Sequence, residues 1–410
     1  MIEAEQLHAR ILEELDLTRE VEDEELTRII HQVLGEAGER EYISLSKRTM
    51  LGKELFNAFR KLDLLQEFLE DDEITEIMIN GTHNIFYEKD GRLYQSEKRF
   101  LSKEKLEDVI QQIVAGSNRL VNEASPIVDA RLADGSRVNV ILAPVALNGP
   151  VVTIRKFPKE AVTIKQLIMW NSISREVAEV LAMYVAAGYN IFISGGTGSG
   201  KTTFLNALSQ FIPKDERIIT IEDNAELKIL SVSNLVSLEA RNANAEGTGE
   251  VTIRDLIKSA LRMRPTRIIV GEVRSAEAID MLQALNTGHD GSLSTGHANS
   301  PKDMLSRLET MVLMGMELPL PAIRRQIASG IDLIVHLGRL RDKSRKVLEV
   351  TEIIDYQDGE ILLQPIYSFE ETGEKHGKIQ GVWKKVHGLT HTGKLLAAGF
   401  KEKAEGIDAG

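Results

Sequence analysis

Residues 194–205 read SGGTGSGKTTFL, and the reading of this stretch decides the fold. Four glycines fall within Ser194–Gly200, and Lys201, Thr202 and Thr203 follow them. Gly195, Gly200, Lys201 and Thr202 fit the spacing G-x-x-x-x-G-K-[ST], between an apolar strand (YNIFIS) and a helix-forming run, which is the setting of a phosphate-binding loop. Glycines let backbone N–H groups converge on phosphate oxygens, and the following helix adds its partial positive end. The expected cofactor-binding set is therefore Gly195, Gly196, Thr197, Gly198, Ser199, Gly200, Lys201, Thr202 and Thr203. Lys201 would neutralise the β- and γ-phosphates, and the Thr202 hydroxyl would complete a Mg²⁺ shell. No guanine-reading N-K-x-D motif stands out, so ATP with Mg²⁺ is the expected pair.

Hydrolysis needs a carboxylate to orient the attacking water and usually another on the metal side. The apolar strand RIIVGEVR carries Glu272 where a base belongs, but Gly271 stands where an aspartate is ordinary. An earlier strand, RIITIEDNAEL, ends in Glu222 and Asp223. Glu222 is thus a candidate for the missing metal-side carboxylate, against the ordinary alternative of a strand-end carboxylate that caps the next turn. In NTGHDGSLSTGHANSP, His289 and His297 lack further ligands for zinc. His297 is expected to face a γ-phosphate, and His289 to order its loop.

Composition bounds the rest. The 410 residues exceed one ordinary core and suggest two or three domains. Of the net charge of −12, residues 1–41 supply −9, from 13 Asp/Glu and four arginines, which leaves about −3 for the remainder. Such an acidic stretch is ordinarily a solvated helical face, the alternative being a docking arm for a basic partner. No broad basic surface for duplex DNA is evident, so no nucleic acid is expected as a partner. The absence of cysteine removes disulfides and cysteine-ligated metal. Neither a signal peptide nor a span of ~20 apolar residues is present, so a cytoplasmic location is expected, with any membrane association through partners.

The chain divides into a helical acidic segment over 1–66, a small α/β domain over 67–156, a linker over 157–163 containing Pro158, and an α/β domain over 164–410 with a C-terminal tail. In the second part, ITEIMING and NIFYEKDGRL read as strands with turns at Asn80-Gly81 and Asp90-Gly91, and Ser102 caps a helix. SRVNVILAPVALNGPVVTIRKF reads as strands joined by a hairpin-like turn at Asn148-Gly149. The fourth part alternates strand and helix, as parallel sheets do, with helices over 201–212, 253–263 and 276–285 and a capping box at Thr252 and Asp255. Beyond about residue 356 only Gly-rich turns and weak alternation are visible. Met304, Met311, Met314 and Met316 form a methionine-rich stretch, read as adaptable core or else as a partner groove.

Four elements in order, GGTGSGKT, ITIEDNAEL, IIVGEVR and TGHDGSLSTGHANS, resemble the secretion-ATPase superfamily, the motors of type II and type IV secretion and type IV pilus assembly. LLQEFLEDDEITEIMING, ARLADGSRVNVI and GPVVTIRKF extend the likeness toward its Flp/Tad pilus branch (CpaF/TadA type), over roughly residues 50–370. The resemblance implies a RecA-like P-loop ATPase domain beneath a smaller, PAS-like α/β N-terminal domain, a homo-hexameric ring, and an inner-membrane platform protein as partner. It implies that Lys201 and Thr202 bind phosphate and Mg²⁺, that Glu222 lies in an acidic "Asp box", that Glu272 is the catalytic base, and that His297 faces the γ-phosphate. It also implies that Arg137 and Arg155 clamp the nucleotide, where the ordinary alternative is a partner for surface acids. Thr266 and Gly296 depart from the family pattern at positions without a chemical role. The missing tetracysteine zinc module favours the Tad branch or the type IV secretion motors. A RecA-like nucleic-acid translocase and a non-hydrolysing ATP-binding scaffold are the alternative functions.

Overall fold

The computed structural model describes residues 4–16, 18–19, 21–117, 119–157, 161–241, 243 and 248–400. Pro158 of the expected linker and the last ten residues of the tail lie outside the described residues. The chain divides into two compact units, residues 1–159 and 160–410.

The first unit begins with helices α1 (Ala4–Glu14), α2 (Asp23–Arg40), α3 (Leu45–Arg60) and α4 (Leu65–Glu70), running past the expected edge at residue 66. Helical spacing puts Leu26, Ile30, Val33, Leu34 and Ala37 on one face of α2, where they bury against Leu7 and Ile11 of α1 and Leu51 and Leu55 of α3. Asp23, Glu24 and Glu25 occupy the first turn of α2, where negative charge suits the helix end. Glu25 pairs with Arg19 at 2.5 Å. Much of this acidity is thus a helical face in solvent.

A six-stranded sheet follows: β1 (Ile74–Asn80), β2 (Asn84–Lys89), β3 (Arg92–Gln95), then helix α5 (Lys103–Ala115), β4 (Ile127–Arg131), β5 (Arg137–Ile141) and β6 (Val151–Arg155). The order is β3-β2-β1-β6-β5-β4, and every neighbouring pair is antiparallel. Asp90 and Gly91 both take positive φ (52° and 70°), as a tight hairpin with right-handed strand twist requires. Ser102 caps α5, its Oγ accepting from the Lys105 amide at 3.2 Å. Alternating residues Ile77, Ile79, Val138, Val140, Val152 and Ile154 share a core with Leu106, Ile110 and Ile113 of α5. Asn148-Gly149 does not form a tight hairpin: β5 and β6 pair across the longer connection 142–150.

The second unit holds α6 (Ile164–Met169), α7 (Arg175–Ala186), β7 (Ile191–Gly195), α8 (Lys201–Ser209), β8 (Arg217–Glu222), β9 (Asn234–Glu239), α9 (Ile253–Ala260), β10 (Arg267–Val270), α10 (Glu277–Leu285) and β11 (Leu293–Gly296). It continues with α11 (Pro301–Gly315), α12 (Leu320–Gly330), β12 (Leu333–Arg339), β13 (Arg345–Gln357), β14 (Glu360–Lys375), β15 (Lys378–Lys385) and α13 (Gly393–Ala397). The nine strands run β15-β14-β13-β12-β7-β11-β10-β8-β9. Pairs from β12 to β9 are parallel, and β13–β15 form an antiparallel extension.

Both faces of the parallel part are covered. Ile191, Ile193, Leu333 and Val335 enter one core with α7 and α8, whereas Phe192 and Ile334 enter a second with α9–α12. Thr252 and Asp255 make the expected reciprocal cap of α9. The methionine stretch is divided: Met304 and Met311 are buried, while Met314 and Met316 are exposed. The tail is the main departure from expectation. Residues beyond 356 form two long strands, and register shifts at Val350/Thr351, Ile353/Asp355 and Glu371/Gly373 reset the period of two that a sequence reading relies on.

Candidate functional site

The site lies at the carboxyl ends of the parallel strands of the second unit, where open α/β sheets bind ligands. β7 ends at Gly195, residues 196–200 form the loop, and α8 starts at Lys201. Gly200 caps α8 with φ of 90°, a conformation that costs glycine little and an L side chain much. Gly196, Thr197 and Gly198 are exposed, whereas Lys201 is buried.

The Lys201 ammonium donates to the carbonyls of Gly195 and Gly196, each at 3.1 Å, and faces Nδ1 of His297 at 3.2 Å. Lysine has only donors, so Nδ1 is the acceptor and the imidazole proton sits on Nε2. That Nε2 stands 2.8 Å from Oε1 of Glu272, close but off line, and Oε1 has no aligned hydrogen-bond donor among the described residues although it is buried. Oε2 of Glu272 takes a 2.5 Å hydrogen bond from Arg274. His297 thus spans the lysine of the glycine-rich loop and the candidate base Glu272. Burial, and then the Lys201 charge, hold its pKa below the usual histidine value, with Glu272 opposing them. Glu272 in turn raises the pKa of Arg274.

Adjacent strands set these positions. Thr295 Oγ1 donates to the Gly271 carbonyl at 2.7 Å, and the Val273 amide donates to Thr295 O at 2.8 Å, so the ends of β10 and β11 are stitched together. His289 orders its loop, with Nδ1 3.1 Å from the Ala284 carbonyl.

Glu222 closes β8 and is almost fully buried. Its carboxylate accepts from the Glu226 amide at 2.9 Å and from the Leu227 amide at 3.0 Å, closing the turn after the strand. Despite those bonds, burial pushes its pKa up to about 7. Arg137 and Arg155 belong to the first unit, where they are register partners across β5 and β6, and Arg137 lies 3.5 Å from Asp129.

A cleft of about 720 Å³ opens beside the loop, lined by Gly196, Thr197, Arg274, His297, Asp303 and Arg307 among others. Arg274, Asp303 and Arg307 were not singled out from the sequence. Arg274 stands two residues after the strand carboxylate in GEVR, which is the one local signal; Arg307 is a helix arginine among many. The residues fit a triphosphate and its cation: exposed loop backbone, a buried ammonium, a threonine at the helix start, two arginines and an orphaned carboxylate oxygen.

Residues 60–383 match the family model described as type II/IV secretion system protein. A putative conjugal transfer protein of Mycobacterium tuberculosis is 35% identical over 293 residues, covering 70% of this chain and 83% of that protein. Type IV secretion system protein PtlH of Bordetella pertussis is 31% identical, covering 73% of this chain and 94% of its own. Among solved structures, the Yersinia pseudotuberculosis ATPase DotB, 19% identical, shares the fold with a TM-score of 0.52 over 72% of this chain and 79% of that one. The chain belongs to the type II/IV secretion system protein family.

Proposed function

We propose that the protein is a Mg²⁺-dependent ATP-hydrolysing motor that powers type IV pilus assembly or type II/IV secretion. The observation that carries this reading is the Lys201–His297–Glu272 constellation, which joins three strand ends beside a cleft that His297 lines. Loop amides of Gly195–Gly200 and the Lys201 ammonium would hold the β- and γ-phosphates, and Thr202 would ligate the cation, with Glu222 on its outer side. Bound Mg²⁺ supplies neutralisation of charge on the phosphoryl oxygens. Glu272 orients and deprotonates the attacking water through its unaligned Oε1, while Arg274 holds Oε2 and so fixes the carboxylate plane. His297 sits beside the γ-phosphate position as an Nε2–H donor. Arg137 and Arg155 act as clamps that tie the first unit to nucleotide state.

At the level of assembly the same reading holds the protein to be a cytoplasmic homo-hexamer acting on an inner-membrane platform protein, closest in kind to the Flp/Tad motors. Among the described residues no helix is long and apolar enough to cross a membrane.

Purified protein tests the chemistry directly. Lys201→Ala is expected to lose binding of a fluorescent ATP analogue, and Glu272→Gln to keep binding while turnover drops about 10²- to 10⁴-fold. Wild-type turnover in Glu272→Gln would overturn the base assignment. Native mass spectrometry with Mg²⁺ and nucleotide tests the hexamer.

A further inference from the structure

The β12–β13 turn, residues 340–344, is flanked by Arg339 and Arg345, which reach the phosphate loop, and its own side chains hold the C-terminal strands. On the loop side, Arg345 Nε donates to the Gly198 carbonyl at 2.8 Å, and its Cδ packs 3.3 Å from where a Cβ would stand at Gly200. Arg339, at the other foot of the turn, lies 3.6 Å from the same construction at Gly198. β12 itself pairs with the strand that delivers the loop, Leu337 opposite Gly195 and His336 opposite Ser194, and Ser194 Oγ meets His336 Nδ1 at 2.8 Å.

On the far side, Arg341 forms a two-pronged ion pair with Glu371 of β14, at 2.5 and 2.6 Å. Asp342 holds the turn by accepting from the Ser344 amide and hydroxyl at 3.0 and 2.6 Å, and accepts from the Ile379 amide of β15 at 2.9 Å. Lys346, which follows Arg345 in β13, donates to Asn171 O at 2.7 Å and lies over the Phe369 and Trp383 rings. A shift of the turn therefore acts on its contacts with β14 and β15.

The loop has reason to shift. The Gly196 carbonyl accepts from three donors: the Ser199 amide at 3.3 Å, Ser199 Oγ at 2.8 Å and the Lys201 ammonium at 3.1 Å. A lysine that moves onto phosphate leaves that carbonyl, so phosphate binding repartitions the hydrogen bonds of Gly196–Ser199. Arg345 grips the Gly198 carbonyl, two residues further along the same segment. We propose that Arg345 is a positioning residue for the phosphate loop, and that the β12–β13 turn transmits the nucleotide state of the loop to strands β14 and β15. The inference rests on the ATP reading of the site.

The test uses the full chain. Arg345→Ala is expected to raise KM for ATP and Kd for a fluorescent ATP analogue about tenfold, the scale of one charge-assisted hydrogen bond, with kcat within about threefold of wild type. Arg345→Lys should recover part of that loss. In wild type, Mg-ATPγS is expected to change hydrogen exchange at 340–344 and at the Ile379 amide, and Arg345→Ala to abolish the change at Ile379 while unfolding at the wild-type temperature. Wild-type KM in Arg345→Ala overturns the positioning role. A nucleotide-dependent change at Ile379 that survives in Arg345→Ala overturns the transmission. The Lys201→Ala control separates this from the underlying reading: if wild type binds the analogue no better than Lys201→Ala does, ATP binding fails and the inference falls with it.

Discussion

Glu222 fills the space that a side chain at residue 271 would need. A Cβ built on Gly271 would stand 2.7 Å from Glu222 Cγ and 3.3 Å from its Oε2. The glycine where an aspartate is ordinary and the glutamate one strand away are therefore one packing arrangement, not two separate departures. Gly271→Asp should destabilise the second unit by about 1–3 kcal/mol through overpacking. Adding Glu222→Ala should return part of that loss. Urea unfolding of the two single variants and the double variant measures the coupling, and strict additivity would show that the two positions do not compete.

The buried Glu222 carboxyl makes stability depend on pH. Its pKa in the folded chain, about 7, lies above the ordinary 4.5, so the folded state holds the proton more tightly. This contribution to stability is present at low pH and is lost as pH rises through the window from 4.5 to about 7. Glu222→Gln should accordingly gain about 1–3 kcal/mol over wild type at pH 8 and much less near pH 5. An equal effect at both pH values would contradict the burial argument.

His297 should give an acid limb to the ATPase profile. Its folded pKa is lowered, so the neutral ring that accepts from Lys201 persists at neutral pH and is lost as pH falls below the ordinary value of 6.5. Turnover is expected to be flat between about pH 7 and 8 and to fall in acid. His297→Ala should lose about 10- to 100-fold in kcat. His297→Gln, whose amide can also accept from Lys201, should retain more activity without the histidine limb.

Arg267 is expected to be a stability residue. It is 2% exposed, pairs with both oxygens of Glu216 at 2.5 and 2.6 Å, and donates to Val185 O at 2.6 Å. Arg267→Met leaves the Glu216 carboxylate without its two-pronged partner, and should cost about 3–5 kcal/mol. Arg267→Lys should recover little, because an ammonium cannot reproduce the planar fork. Thermal unfolding followed by circular dichroism checks both variants.

Much of the second unit was legible because its signals are local. The strand expected in RIITIEDNAEL runs Arg217–Glu222, and α9 begins at its Thr252 cap. β11 was not legible. Leu293–Gly296 has a serine, a threonine and a glycine in four residues, and it is a strand because β7 and β10 flank it with open hydrogen-bonding edges. The β14 and β15 strands escaped for a related reason, since their bulges are set by partners distant in sequence.

The sequence by itself determined the phosphate loop, the strand-end carboxylates and the family, because glycine spacing and apolar runs act within a few residues. Only the tertiary structure decided that His297 stands between Lys201 and Glu272, that Arg274 holds the carboxylate, and that Glu222 closes a turn while filling the volume beside Gly271. Lys201, His297 and Glu272, like Glu222 and Gly271, lie tens of positions apart. Parallel strand order, which brings such residues to one edge, is fixed by the packing of two cores and not by any local run.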